Sequence, residues 1–409
     1  MMPSSCRPII VSFLSLCAVP SVAPSANASE ATALAGANGA PFAWLTATPE
    51  SQGLSSAKLE AFKDWLTARN TSALLITRND RIVYEWYAKG TTARSKLGTA
   101  STAKALVGGV AAAVEISDGL VKLDDLAAKF IPQWRADPAR SKITLRELGS
   151  HSSGLDDAEE DEPAAAGQAQ PDALRRSIPH EKLTGWKGDF WKRLPVPHDP
   201  FTIARDVVPI VFQPGERYSY SNPGIAMLGY ALTSALRGAT QKDLRTFVRD
   251  RVYRKIGIGD EEWDIGYKET YLVDGLALVP AWGGGGFTAR AQARIARLML
   301  RGGDWDGQRI MTQEAARDVT LGANADGSSP VAVGWWNNIH GTVPGMPMDV
   351  YFAAGAGHRL VVVIPSLQAI VVRSGELLSP TEDYFVARDR YFFVPMMEAL
   401  GIAQPVNRS

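Results

Sequence analysis

The 409-residue chain has only two cysteines, Cys6 and Cys17, and both fall in its first 28 residues. That stretch has the layout of a removable secretory leader. Arg7 gives a positive start, IIVSFLSLCAV is an apolar run of secretory length, and Ala26-Asn27-Ala28 is a small-x-small cleavage site. A lipoprotein reading of LSLC at 14–17 fits less well, because Leu16 stands where a small residue is wanted. Cleavage near Ala28 leaves a chain without thiols, which excludes cysteine nucleophiles, disulfides and cysteine metal sites. It also predicts an exported product, periplasmic or secreted.

Other absences narrow the field further. The five histidines, His151, His180, His198, His340 and His358, show no HExxH or paired-ligand spacing, so no metal is expected. The leader's apolar run is too short to span a bilayer and no later stretch is long enough, so no stable membrane insertion is expected. Neither sign of charge dominates: 43 basic residues face 43 acidic ones, and loss of Arg7 leaves a net charge near −1. Such a balance gives no footprint for nucleic acid and no polybasic membrane patch. There is no G-x-S-x-G elbow and no internal repeat. The GGGG at 283–286 lacks a following Lys-Ser/Thr or G-x-G-x-x-G spacing, so it is no phosphate loop. No Asp/Glu pair is placed as a glycosidase would need. No organic cofactor is implied.

What is present divides by position along the chain. Residues 29–44 are small and low in complexity and read as a flexible lead-in. GLSSAKLEAFKDWLTARN (53–70) reads as a helix capped by Ser55, with Leu59, Phe62 and Leu66 on its apolar stripe. SALLITRNDRIVYEWYAKG (72–90) reads as two strands joined by a tight turn at Asn79-Asp80. Loops and helices fill about 120 to 285, including DDAEEDEPAAAGQAQPD (156–172), a solvated loop or a lid near a site. A second amphipathic helix follows GGGGFTA (283–289). Strand signals return in VAVGWWNN, DVYFAAG, RLVVVIP and AIVVRSG, and RYFFVPMMEALG (390–401) reads as a terminal helix interrupted near Pro395. Trp335 and Trp336 alternate across a strand, placing one in the core and one toward the cleft.

Strands at both ends and helices between them predict an α+β fold. One antiparallel sheet, flanked by helices, is built from about 45–120 and 286–405, and a mostly helical lobe at about 121–285 is inserted. The site is then expected in the cleft between them.

The chemistry concentrates in LGTASTAKALVGGV (97–110), where one lysine, Lys104, interrupts three apolar turns. A lysine near a helix start often snorkels to the surface. Buried beside apolar side chains it loses basicity instead, which suits a general base for Ser101 three residues earlier. The helix start also offers backbone N–H groups to a developing oxyanion. A second Ser-x-x-Lys match, Ser55 to Lys58, is set aside because Ser55 has a cap to make. PGERYSYSNPG (214–224) is a turn-rich segment that presents Tyr220, Ser221 and Asn222. A tyrosine hydroxyl held near an ammonium has a lowered pKa and passes a proton to a leaving group. The Asn222 amide can bond both Lys104 and a substrate carbonyl. His151, in the SHSSG turn, reads as structural.

Ser101-Thr102-Ala103-Lys104, ITLRELGSHSSGL (143–155) and Tyr220-Ser221-Asn222 stand in the order found in serine β-lactamase-like hydrolases. The chain resembles that superfamily over about residues 45 to 400. LDDLAAKFIPQW, GGGGFTA and VGWW add weaker matches. The group spans class C β-lactamases, D-alanyl carboxypeptidases, esterases of the β-lactamase fold and 6-aminohexanoate-dimer hydrolases. The resemblance implies Ser101 as acylated nucleophile, Lys104 as its base and Tyr220 as proton relay. It departs at the third motif, Lys-Thr-Gly or His-Thr-Gly on the strand facing the serine. YFAAGAGHRLVVVIP (351–365) places Ala353-Ala354-Gly355 there. Gly355 still lets a substrate approach the backbone, and the Ala356 N–H is the expected second oxyanion donor beside that of Ser101. The cation and hydroxyl that hold a substrate carboxylate are missing, and only one of His358 and Arg359 could face the cleft from a strand. An exported serine hydrolase acting on a small ester or amide follows. The alternatives are a β-lactamase or D-alanyl carboxypeptidase, and a catalytically silent sensor domain, which would be expected to have lost one of the three residues. The sequence carries no signal for oligomeric state.

Overall fold

Alternating side chains in the second strand divide the protein's interior. Leu74 and Ile76 enter one apolar layer while Leu75 enters another, on the opposite face of a seven-stranded sheet. The computed structural model describes residues 42–160, 178–322 and 329–402. The expected leader at 1–28, most of the lead-in, part of the acidic stretch at 156–172 and the last few residues lie outside them.

The elements that position the site are these, in chain order: β1 (Leu45–Thr46), α1 (Ser56–Thr67), β2 (Thr71–Arg78), β3 (Arg81–Tyr87), α2 (Val110–Ser117), α3 (Asn222–Ala235), α4 (Ala289–Leu300), β4 (Trp336–Asn337), β5 (Tyr351–Gly355), β6 (Arg359–Ile364), β7 (Ala369–Gly375) and α5 (Val394–Ala399). The sheet order is β1-β3-β2-β7-β6-β5-β4. Every pairing is antiparallel except β1 on β3. Both chain ends therefore contribute to one sheet, as expected, with a parallel edge strand as the exception. The chain returns from β3 to the sheet only after more than two hundred residues, and that excursion carries the helices.

Local chemistry explains the elements. Ser55 Oγ accepts the Lys58 N–H and starts α1, whose Leu59, Phe62 and Leu66 are buried. Asn79 and Asp80 both take positive φ, 49° and 61°, and close the β2–β3 turn. That turn is tied to α4, where the Arg297 guanidinium bridges Asp80 and Asp306. The helical interval also contains a small hairpin, Tyr271–Val273 with Leu276–Leu278. Leu97–Gly98, Gly286–Phe287 and Trp263–Asp264 form a second small sheet that joins the flanking segments.

Four expectations change in detail. Phe42, in the supposed flexible lead-in, packs its ring 4.7 Å from that of Trp305. VAVGWWNN contributes only Trp336–Asn337 to the sheet, because Gly334 turns at φ 71° against the Lys104 carbonyl. The terminal helical segment starts at Tyr384, before the expected 390, and continues through Pro395. Proline leaves the carbonyl four residues earlier without its helical donor, and there the Tyr391 carbonyl accepts from the Trp65 indole at 3.0 Å. His358 sits in the β5–β6 turn at φ 50° and not on a strand.

Candidate active site

Ser101 follows a backbone position that a regular helix does not use. Ala100 has φ 46°, and Ala100–Thr102 forms a single 3-10 turn. From Lys104 to Gly109 the helix widens to π geometry, Val110 N–H reaching five residues back to the Ala105 carbonyl, before α2 begins. The expected regular helix, with its N-terminal N–H groups as oxyanion donors, is thus replaced by a tight turn followed by a wide one. Small residues permit it. A Cβ at Gly109 would come within 2.5 Å of the Val333 carbonyl, and the Leu106 carbonyl takes a bond from the Tyr253 hydroxyl at 2.9 Å.

The i, i+3 spacing survives this distortion. Lys104 Nζ lies 3.1 Å from Ser101 Oγ, 2.8 Å from Asn222 Oδ1 and 2.7 Å from the Trp282 carbonyl. The side chain does not snorkel: Lys104 is 3% exposed. Burial is the main cause that brings its pKa down to about 7, against the opposing charges of Glu159 and Asp157. As a free amine it has two N–H donors and one lone pair. The carbonyls of Asn222 and Trp282 take the donors, which leaves the lone pair for the Ser101 hydroxyl.

Tyr220 reaches Ser101 from the other side, its hydroxyl 2.8 Å from Oγ. The loop that carries it is fixed by the SHSSG turn. His151 Nδ1 accepts the Ser221 N–H at 3.1 Å, and its ring lies 4.4 Å from that of Tyr220. An accepting Nδ1 requires a neutral imidazole, and burial, aided by Lys104, pushes the His151 pKa down to about 3. The structural role expected for His151 is the one found. Ser221 Oγ accepts the Gly224 N–H at 2.9 Å and caps α3, so Asn222 opens that helix beside Lys104. The acidified tyrosine expected from sequence is not found. Burial, with the charge of Glu159, holds the Tyr220 hydroxyl well above its ordinary value, so it rests as a neutral donor.

Two carboxylates and a carbonyl complete the group, and sequence reasoning named none of them. Asp157 Oδ1 accepts from Asn222 N at 2.8 Å and from Nδ2 at 3.1 Å. Glu159 Oε1 lies 3.5 Å from the same Nδ2 and 3.8 Å from His180, whose ring stacks on Trp191. Burial and Glu159 push Asp157 up to about 6. Burial works against ionisation of Glu159 too, but His180, Lys104 and Asn222 hold its pKa below the ordinary value. The signal available was the acidic stretch after SHSSGL, whose first residues are here. The Trp282 carbonyl had no side-chain signal beyond the glycine run that follows it.

The β5 edge differs in kind. Ala353 is fully buried in the layer facing α4, and Ala354 points to the α1 and α5 side. Gly355 serves the chain's own backbone. A Cβ there would stand 2.7 Å from the Thr99 carbonyl and 2.9 Å from the Ser101 nitrogen, so the close approach expected for substrate is made to the Ser101 turn. Ala356 follows as the exposed first residue of a turn whose other two, Gly357 and His358, are buried. Arg373 holds that turn through the Gly357 and His358 carbonyls at 2.8 and 2.6 Å. His358 accepts the Leu378 N–H at Nδ1, so its Nε2–H donates to the Tyr384 carbonyl. Arg359 bonds the Ala356 carbonyl and Glu376. Neither cation candidate is free for a substrate. Trp335 is buried, while half-buried Trp336 stands 5.9 Å from Tyr218, beside the Tyr220 loop.

The sequence matches the Beta-lactamase family model over residues 61–392, a span that holds Ser101, Lys104, Tyr220 and Asn222. The chain belongs to the Beta-lactamase family. Among curated proteins none matches it at significant similarity. Solved structures with the same fold include a family VIII carboxylesterase at 14% identity and TM-score 0.56, covering 86% of this chain and 98% of that one. Another is a penicillin-binding protein homolog from Caulobacter crescentus, at 13% and 0.56, covering 84% and 99%. A third is described as a hydrolase with promiscuous acyltransferase activity, at 15% and 0.58, covering 86% and 99%. At these identities the structural neighbours establish the fold alone, a β-lactamase-like one.

Proposed function

We propose that the protein is an exported serine hydrolase that forms an acyl-enzyme on a small ester or amide. The observation that carries this reading is the buried amine of Lys104, with two carbonyls on its N–H groups and Ser101 Oγ on its remaining side. A structural lysine would be charged and directed to solvent or to a carboxylate.

In the proposed cycle Lys104 takes the Ser101 hydroxyl proton as Oγ bonds to the substrate carbonyl carbon. The oxyanion that forms is met by backbone N–H groups, those of Ser101 and Ala356 being the donors proposed. Tyr220 gives its proton to the leaving oxygen or nitrogen as that bond breaks, and regains it from the Lys104 ammonium. Water then attacks the acyl carbon, its proton goes to the same base, and Ser101 leaves reprotonated with release of the acid. Tyr220 suits the donor role because it starts as a neutral phenol. Export rests on the leader at 1–28, and sequencing the N-terminus of the secreted product for a start after Ala28 checks it.

The substrate class rests on the β5 edge. Losing one charge-assisted hydrogen bond to a carboxylate costs about 1.5–3 kcal/mol, about one to two decades in kcat/KM. Ester cleavage needs only Ser101, Lys104, Tyr220 and the backbone donors. A p-nitrophenyl acetate or butyrate should therefore be cleaved with the higher kcat/KM when compared with a chromogenic cephalosporin. The reverse order would favour the β-lactamase or D-alanyl carboxypeptidase reading.

A further inference from the structure

The Asn222 amide can be built two ways round, and only one of them suits the reaction proposed above, on which this inference rests. With Oδ1 toward Lys104, the amine keeps its lone pair for Ser101. Turned over, the amide would offer Nδ2–H to that lone pair and compete with Ser101 for it. The hydrogen-bond partners on the far side decide between the two. A carboxylate only accepts, and Asp157 Oδ1 takes both the backbone N–H and the Nδ2 of Asn222, at 2.8 and 3.1 Å. Glu159 supports the same orientation at 3.5 Å. A turned amide would place its oxygen against both carboxylates.

We propose that Asp157 is a positioning residue that fixes the Asn222 amide and so directs the Lys104 amine at Ser101. Its charge has a second consequence. Asp157 and Glu159 both favour the Lys104 ammonium, opposing burial, so the pair sets how far the amine is neutralised at working pH. The other groups around this cluster are Tyr220 and Tyr218, both neutral phenols, and His151, neutral by its accepting Nδ1. His180 faces Glu159, and Lys187 pairs with neighbouring Asp156 at 3.6 Å.

Two substitutions separate charge from position. Asp157→Asn removes the charge and keeps an acceptor, so the acid limb of kcat/KM for a p-nitrophenyl ester should move to lower pH. Asp157→Ala removes both, and the plateau itself should fall, about 10- to 100-fold in kcat with little change in KM. A loop-holding role alone would lower the folded fraction in both variants and leave the acid limb where it is. That outcome overturns the proposal. An NMR titration of Lys104 in lysine-13Cε-labelled parent and Asp157→Asn protein gives an answer independent of turnover, with Lys104→Met assigning the signal. The Lys104 midpoint should be lower in the variant, and an unchanged midpoint contradicts the proposal. If the parent neither turns over nor labels at Ser101, the hydrolase reading falls, and the Lys104 midpoint alone decides the role of Asp157.

Discussion

Two buried basic side chains, Lys104 beside the serine and Arg373 behind the Gly357–His358 turn, are treated in opposite ways. Arg373, wholly buried, places its guanidinium against five oxygens: Thr71 Oγ1 and the carbonyls of Arg69, Gly357, His358 and Glu376. Each of its five N–H donors has a partner. Lys104 has two carbonyls and a hydroxyl. Burial lowers both, Arg373 to about 10 and Lys104 to about 7. Neither forms an ion pair with a described residue. The difference lies in how completely the protonated form is solvated by fixed dipoles, and in how far each group starts above neutrality. One cation stays charged and holds a turn in place, while the other is poised to give up its proton beside a nucleophile.

The largest expected effect comes from removing the reactive member. Lys104→Met should reduce Ser101-dependent turnover by several decades and change stability little near pH 7, because relief of a costly buried amine offsets the donors lost by the Asn222 and Trp282 carbonyls. Tyr220→Phe should also lose decades. The double variant should lose far less than the product of the two, since both pass one proton. Full multiplicativity would break the shared relay.

Arg373→Met should behave inversely. Five acceptors lose their donor, so unfolding in urea should show a loss of about 3 kcal/mol or more. The pH midpoint of activity in the folded fraction should not move. A shifted midpoint would mean that the two cations are not independent.

A smaller effect sharpens the contrast. The Lys104 pKa is lower in the folded protein than in the unfolded chain, about 7 against an ordinary 10.5. Between those values the unfolded chain binds more protons, so this group's contribution to stability rises with pH across that window. The stability of Lys104→Met relative to the parent should therefore fall from pH 7 toward 10. A constant gap would mean that Lys104 is not neutralised by folding.

Much of this was legible in the sequence, for identifiable reasons. Leu59, Phe62 and Leu66 repeat at helical spacing and Asn79-Asp80 marks a tight turn between two apolar runs, so α1 and the β2–β3 pair are legible, while the division of Leu74, Leu75 and Ile76 between two layers is not. Lys104 was legible because an ammonium in an apolar run demands an explanation. The convergence of Tyr220 and Asn222 on it came from a resemblance and not from spacing, since 118 residues separate Lys104 from Asn222. What was hidden belongs to the backbone and to tertiary packing. The π-turn after Ser101 depends on Gly109 meeting Val333, and the Trp282 acceptor is a carbonyl that any residue supplies. From sequence Gly355 is room for substrate, but in the fold it makes room for the Ser101 turn. Tyr220 was expected to be acidified by its lysine, and burial outweighs that attraction.

The central claim is that Lys104 makes Ser101 a nucleophile. Intact-mass measurement after incubation with a fluorophosphonate tests it directly, across pH 5 to 9, in the parent and in Ser101→Ala, with Ser55→Ala as control. The account predicts one adduct per chain, at Ser101, forming faster as pH rises through about 7 and absent from Ser101→Ala alone. An adduct that persists in Ser101→Ala, or no adduct in the parent at any pH, would contradict it.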